Sequence, residues 1–161
     1  MNQLRCFVSI GLLAFLLLAG CNFDFPLTAR PTRAIDARLI GNWTAQEPGE
    51  KRVEHLNIRQ LDDHTYIAVY EGDLYRGFHS DVAGFSLLSV QDLNPAPGRY
   101  LYMQYRLLED GTKLGLRSLD AEMVKTAAQD QKTTTEFIRL NTDNPKLFSA
   151  ELIFLREPDR H

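Results

Sequence analysis

The sequence predicts a mainly β domain, an antiparallel barrel or meander of about eight short strands with one or two short helices before the last strand. Three observations carry this. Apolar and polar residues alternate with period two, most clearly where Leu101, Met103, Tyr105 and Leu107 interleave with Tyr100, Tyr102, Gln104 and Arg106. Turn-forming pairs recur at short intervals, as Pro48-Gly49, Asp62-Asp63, Gly72-Asp73 and Asp110-Gly111. From Leu119 to Gln131 the sequence is poor in β-branched residues, and a strand-like run returns at Glu151–Arg156.

Taken in order, Leu39–Ala45 and Lys51–Leu61 flank the turn Glu47-Pro48-Gly49-Glu50, with Leu56 and Ile58 on one face of the second strand. His64–Glu71 follows, placing Tyr66, Ala68 and Tyr70 on one face and Ile67 and Val69 on the other. Leu74–Ser80 and Phe85–Gln91 come next, then a loop at Asn94-Pro95-Ala96-Pro97-Gly98. Tyr100–Leu108 and Lys113–Ser118 form a hairpin around Asp110-Gly111, with Leu114 and Leu116 facing together. A helix is expected to open near Asp120. A second begins at a capping box Thr133-x-x-Glu136, burying Phe137 and Leu140 and ending at Asn144-Pro145.

Ahead of the strands, Met1-Asn2-Gln3-Leu4-Arg5 precedes an almost wholly apolar run from Cys6 to Leu18. One cation followed by about a dozen apolar residues is the layout of a removable export signal. The run is shorter than the ~20 residues a helix needs to cross the hydrocarbon core. It ends in Leu18-Ala19-Gly20-Cys21, which resembles the lipobox of bacterial lipoprotein precursors. The resemblance implies that residues 1–20 are a signal peptide and that Cys21 carries a diacylglyceryl group as the first residue of the mature chain. It also implies a bacterial cell-envelope protein, anchored in the lipid membrane through acylated (palmitate-type) Cys21. Asn22 stands where an Asp would resemble an inner-membrane retention signal, so the expected address is the periplasmic face of the outer membrane.

Removing the signal leaves Cys21 as the remaining cysteine, and lipid occupies it. The folded domain therefore has no thiol for a disulfide, a zinc site, an iron–sulfur cluster or a nucleophile. The signal also takes Arg5 from the 18 Lys and Arg, leaving a mild excess of the 21 Asp and Glu, which argues against a nucleic-acid partner. Residues 21–35 carry Pro26 and Pro31 without either period and read as the lipidated N-terminus and a flexible tether. Fourteen residues of it reach at most ~50 Å. Residues 36–158 are then a single barrel-like domain.

At the first strand, Gly41-Asn42-Trp43 is similar to the Gly-x-Trp signature of lipocalin-like barrels. That resemblance implies that Trp43 plugs the closed end and that a basic side chain late in the fold, Arg156 or Arg117, packs across it. It also implies a lipocalin-like barrel, one resembling the small uncharacterised lipoproteins that begin with a Gly-x-Trp strand.

Little in the chain points to catalysis. In His79-Ser80-Asp81, strand alternation turns Ser80 away from its neighbours, and no Gly-x-Ser-x-Gly accompanies it. Asp62-Asp63-His64 sits where a solvated turn is expected, and neither metal-ligand spacing nor a cofactor motif is found. Tyr66 and Tyr70 share one face, and Tyr100, Tyr102 and Arg106 share another. Both suit the rim of a ligand cavity, a partner-binding face, or the plain outside of a barrel. The expectation is a non-enzymatic, membrane-anchored periplasmic lipoprotein binding a small amphipathic or apolar ligand, with Leu56, Ile58, Leu101, Met103, Leu114 and Leu116 lining or filling the interior. The alternative is a solid-core envelope interaction module that docks on a protein or on peptidoglycan.

Overall fold

Alternating sequence becomes two-faced strand, and eight such strands pair in chain order into a closed antiparallel barrel. The structure is a computed structural model that describes residues 23–46, 49, 51–94, 98–125 and 130–158. The strands are β1 (Gly41–Ala45), β2 (Glu54–Gln60), β3 (Thr65–Tyr70), β4 (Asp73–His79), β5 (Leu87–Asp92), β6 (Tyr100–Leu108), β7 (Lys113–Ser118) and β8 (Leu152–Arg156). β1 returns to β8 through Trp43↔Arg156 and Thr44↔Leu155, so no strand is left with an unpaired edge. The expected export signal, Cys21 and Asn22 lie outside the described residues, as do Glu47, Pro48, Glu50 and Pro95–Pro97 of two expected turns and part of the expected first helix.

The barrel has two unlike ends. At one, β1 begins, β4 and β8 finish, and a short 3-10 turn, Ala37–Leu39, tucks Leu39 beneath the strands. The Asp36 side chain caps this turn by accepting from the Arg38 N–H. At the other end, β6 begins and β3 and β7 finish. Inward rows run between them: Leu56 and Ile58 on β2, Tyr66, Ala68 and Tyr70 on β3, Leu101 and Met103 on β6, Leu114 and Leu116 on β7. The six residues expected inside are all there.

Two helices fill the β7–β8 connection, α1 (Ala121–Lys125) and α2 (Gln131–Leu140). The cap of α2 lies three residues before the expected one. Asp130 is the N-cap, accepting from the Thr133 N–H at 2.8 Å while the Thr133 hydroxyl receives the Asp130 N–H. Starting earlier, the helix buries Thr134 and Ile138 and packs Phe137 beside them, whereas Leu140 is 68% exposed rather than buried.

The stretch from Phe23 to Ile35 is not a free tether. Phe23 pairs with Tyr100 by reciprocal backbone hydrogen bonds of 2.8 and 2.7 Å and stacks on Tyr102, with ring centroids 4.3 Å apart. Leu27 is 1% exposed, and its N–H donates to Ser89 Oγ. The Thr32 N–H donates to the His79 carbonyl, and the Ile35 N–H to that of Asp63. The segment is a strap that starts beside the first residue of β6, crosses the outer face of β5 and β6, and ends under the barrel. Composition concealed this because the strap is held by isolated anchors, Phe23, Leu27 and Ile35, with no period between them.

The apolar contacts fall into two bodies. One lines the inside of the barrel around Trp43, Tyr66, Leu114 and Phe154; the other lies outside it, where Phe23, Leu27, Leu87, Tyr102, Val124, Ile138 and Leu147 join strap, sheet and helices.

Candidate functional site

Inside the barrel lies a cavity of about 140 Å³. Its wall is built by Leu39, Leu56, Ile58, Ala68, Leu88, Val90, Leu101, Met103, Leu114, Leu116, Leu152 and Phe154, with Gly77 leaving space on β4. Tyr66, Tyr70, Tyr75, Ser118 and Ser149 supply the only polar side-chain atoms of this lining, and no charged residue belongs to it. A cavity of ~150 Å³ lined by Leu, Ile and Phe stays dry and accepts a molecule the size of benzene. The space in this barrel is of that order.

The floor is sealed. The Trp43 ring is 1% exposed, and its indole N–H donates to the Leu39 carbonyl at 3.0 Å. The Arg156 guanidinium lies 4.2 Å from the centre of the Trp43 ring. It is fixed there by donating to the Gly111 carbonyl at 3.0 Å, to the Ile40 carbonyl at 2.8 Å and to that of Arg38. A methyl group at Gly41 would stand 2.5 Å from Arg156 Nη1, which is why glycine precedes the tryptophan by two residues. Arg117, the other candidate, is elsewhere: it reaches the Ser149 carbonyl and covers Phe148.

Beside Trp43 the floor carries a buried polar set. His79 is fully buried, and its Nε2 lies 2.8 Å from the Tyr66 hydroxyl. The Tyr66 oxygen also accepts the Asp36 N–H, and His79 Nδ1 has no hydrogen-bond partner among the described residues. Burial, with the Arg33 charge adding to it, pushes the His79 pKa down to about 4. Burial likewise pushes the Tyr66 hydroxyl up to about 12. Both rings are therefore neutral at pH 7. Arg33, on the strap, closes the set by donating to Asp81 at 2.6 Å and to the Tyr105 hydroxyl.

The opposite end is the mouth. Its lining residues Tyr70, Val90, Leu116, Ser149 and Leu152 are half-buried, whereas Leu39, Leu114 and Phe154 at the floor are at most 1% exposed. The Tyr70 hydroxyl donates to Glu54 Oε2 at 2.7 Å, and burial, with this bond adding to it, pushes its pKa up.

The five residues read from sequence as candidate faces are divided. Tyr66 and Tyr70 point inward, at floor and mouth respectively. Tyr100 and Tyr102 lie outside, where Tyr102 is 1% exposed beneath Phe23 and donates its hydroxyl to the Phe25 carbonyl at 2.8 Å. Arg106 reaches across Gly115 to hold Glu151 through two bonds of 2.9 and 2.6 Å. Tyr102 and Arg106 thus brace the barrel's flank, with Arg106 exposed and Tyr100 half-buried.

His79, Ser80 and Asp81 go to three different partners: Tyr66, Ser89 and Arg33. Asp62 accepts the His64 N–H within its own turn, which holds its carboxyl below the usual range. Among the described residues no three His, Cys, Asp or Glu side chains gather as metal ligands. Sequence reasoning missed Tyr75, Leu88 and Val90 in the wall, although the alternation of β4 and β5 carried that signal. It also missed the strap's part in the floor, which no local pattern announces. The chain matches no protein-family model, no curated protein and no solved structure.

Proposed function

We propose that this is a lipid-anchored protein of the bacterial envelope that holds one small apolar ligand, or one end of a larger amphipathic one, inside a lipocalin-like barrel. The observation that carries the reading is the cavity itself, about 140 Å³ of unfilled space walled by aliphatic and tyrosine side chains and sealed at its floor. A barrel selected only as a rigid docking module gains by filling such space, because each missing methylene costs packing energy. The Leu18-Ala19-Gly20-Cys21 sequence supports the anchor, and Asn22 supports the outer membrane's periplasmic face.

Chemically, the wall selects by size and polarity. A hydrocarbon chain segment or a small ring gains the transfer free energy of about 0.8 kcal/mol per buried methylene. A charged group meets no counter-charge in the lining. An amphipathic ligand therefore enters apolar end first and leaves its polar end at the mouth, near the Tyr70 hydroxyl and Ser149. The alternative of a solid module docking through Tyr100, Tyr102 and Arg106 is weakened by the engagement of Tyr102 and Arg106 within the fold.

Native mass spectrometry of the mature domain purified gently from the envelope tests the reading. A stoichiometric small molecule, lost on denaturation and absent from Met103→Trp protein, is the expected result. A bare mass in both proteins, under conditions that retain an added hydrocarbon probe on a known carrier, would contradict it.

A further inference from the structure

We infer that the mouth of the barrel, not its floor, is held against the lipid bilayer. The inference deepens the reading above and rests on its lipid anchor at Cys21. Cys21 is two residues from Phe23, so its Cα lies within ~7 Å of the Phe23 Cα whatever path the chain takes. Phe23 is fixed by its bridge to Tyr100, the first residue of β6, at the mouth end of the barrel. The strap then carries the chain away to the floor, where Thr32 and Ile35 are bonded to His79 and Asp63. With the strap docked, an anchor at Cys21 cannot reach the floor end. It is confined near the mouth.

A second observation places apolar surface at the same end. Val69 and Leu74 are direct cross-strand partners on the outer face where β3 turns into β4, and they are 39% and 41% exposed. Val53, 39% exposed, precedes β2 beside them. They stand on β2–β4, whereas the anchor stands beside β6, so lipid chain and apolar patch would touch the membrane at separate points around the mouth. Two separated contacts fix an orientation that a single acyl anchor leaves free. In this orientation an apolar ligand passes between bilayer and cavity without crossing open water.

The test uses the full chain, expressed with its signal and purified in detergent. One variant, Leu74→Cys, labels the mouth; another, Leu61→Cys, labels the turn at the floor end, where Leu61 is 55% exposed. Each carries a small fluorophore and is reconstituted into phosphatidylethanolamine/phosphatidylglycerol vesicles containing nitroxide-labelled lipid. The expected result is at least threefold stronger quenching at position 74 than at 61, with the difference abolished when a twenty-residue Gly/Ser linker is inserted between Cys21 and Phe23. Equal quenching, or stronger quenching at 61, in protein that floats with the vesicles would overturn the orientation and leave the lipoprotein reading standing. Protein that neither floats nor carries a diacylglyceryl mass on its N-terminal peptide would overturn both. A dimer in detergent that shields position 74 from a soluble quencher would also overturn the orientation, since a second copy would then cover the patch.

Discussion

The two ends of this barrel are made from the same kind of strand and are finished in opposite ways. At the floor every large side chain has a fixed partner: Trp43 lies under Arg156, Tyr66 against His79, and Arg33 across Tyr105 and Asp81. At the mouth the inward rows end in Leu116, Val90 and Leu152, and no described side chain plugs the space between them. Closure of an antiparallel sheet thus does not decide whether the interior is core or cavity. The segment that enters or avoids each end decides it. Here the N-terminal strap carries Ile35 to the floor, where the turn that follows adds Leu39, while at the mouth end it pairs with Tyr100 outside the barrel and puts no side chain into the cavity lining.

The contrast can be broken most forcefully at the floor. Trp43→Ala removes the plug and the platform of Arg156, and a loss of about 3–5 kcal/mol is expected in urea unfolding. Next in size is the response to acid. His79 in the folded barrel titrates near 4, below the ordinary value of an unfolded histidine, so the unfolded state binds the proton first. Stability from this group is complete above about pH 6.5 and falls as pH drops toward 4, by on the order of 3 kcal/mol. In His79→Phe protein that slope between pH 6.5 and 4.5 should flatten, although Tyr66 loses its hydrogen-bond partner. Urea midpoints at the two pH values decide it. An unchanged slope would mean that groups other than His79 carry the acid response.

The strap comes third. Leu27→Ala should cost about 2–4 kcal/mol, as a buried core leucine does, and a free tether would predict no change. Smaller again in stability is Met103→Trp, which fills the cavity. It should abolish uptake of a hydrocarbon probe while shifting stability by no more than about 1–3 kcal/mol in either direction. Leu140→Lys on α2 should lie within ~0.5 kcal/mol of wild type, because that side chain is exposed.

Much of this was legible in the sequence because alternation is a local signal. Leu101 and Met103 point inward and Gln104 and Arg106 outward for the same reason that neighbouring Cβ atoms leave opposite faces of a strand. All eight strands were legible, the clearest from that alternation and the others from apolar runs between turn signals, and Gly41-Asn42-Trp43 pointed to the floor. What was hidden depends on contacts distant in sequence. Nothing around Phe23 or Leu27 says that they will meet Tyr100 and Ser89. Tyr102 therefore read as a surface aromatic until the strap was seen to cover it. The cap of α2 was missed for a smaller reason: Asp130 and Thr133 compete with Thr133 and Glu136 for the same motif, and the fold uses the earlier pair.

The central claim is that the interior is vacant and accessible from one end. Methyl NMR on protein labelled at Leu, Val, Ile and Met, titrated with benzene or xenon, measures this most directly. Saturable shifts are expected for Leu56, Ile58, Leu101, Met103, Leu114 and Leu116, with Leu61 and Leu140 unmoved and the response lost in Met103→Trp protein. Interior methyls that stay still at saturating probe, or shifts spread equally over Leu61 and Leu140, would contradict it.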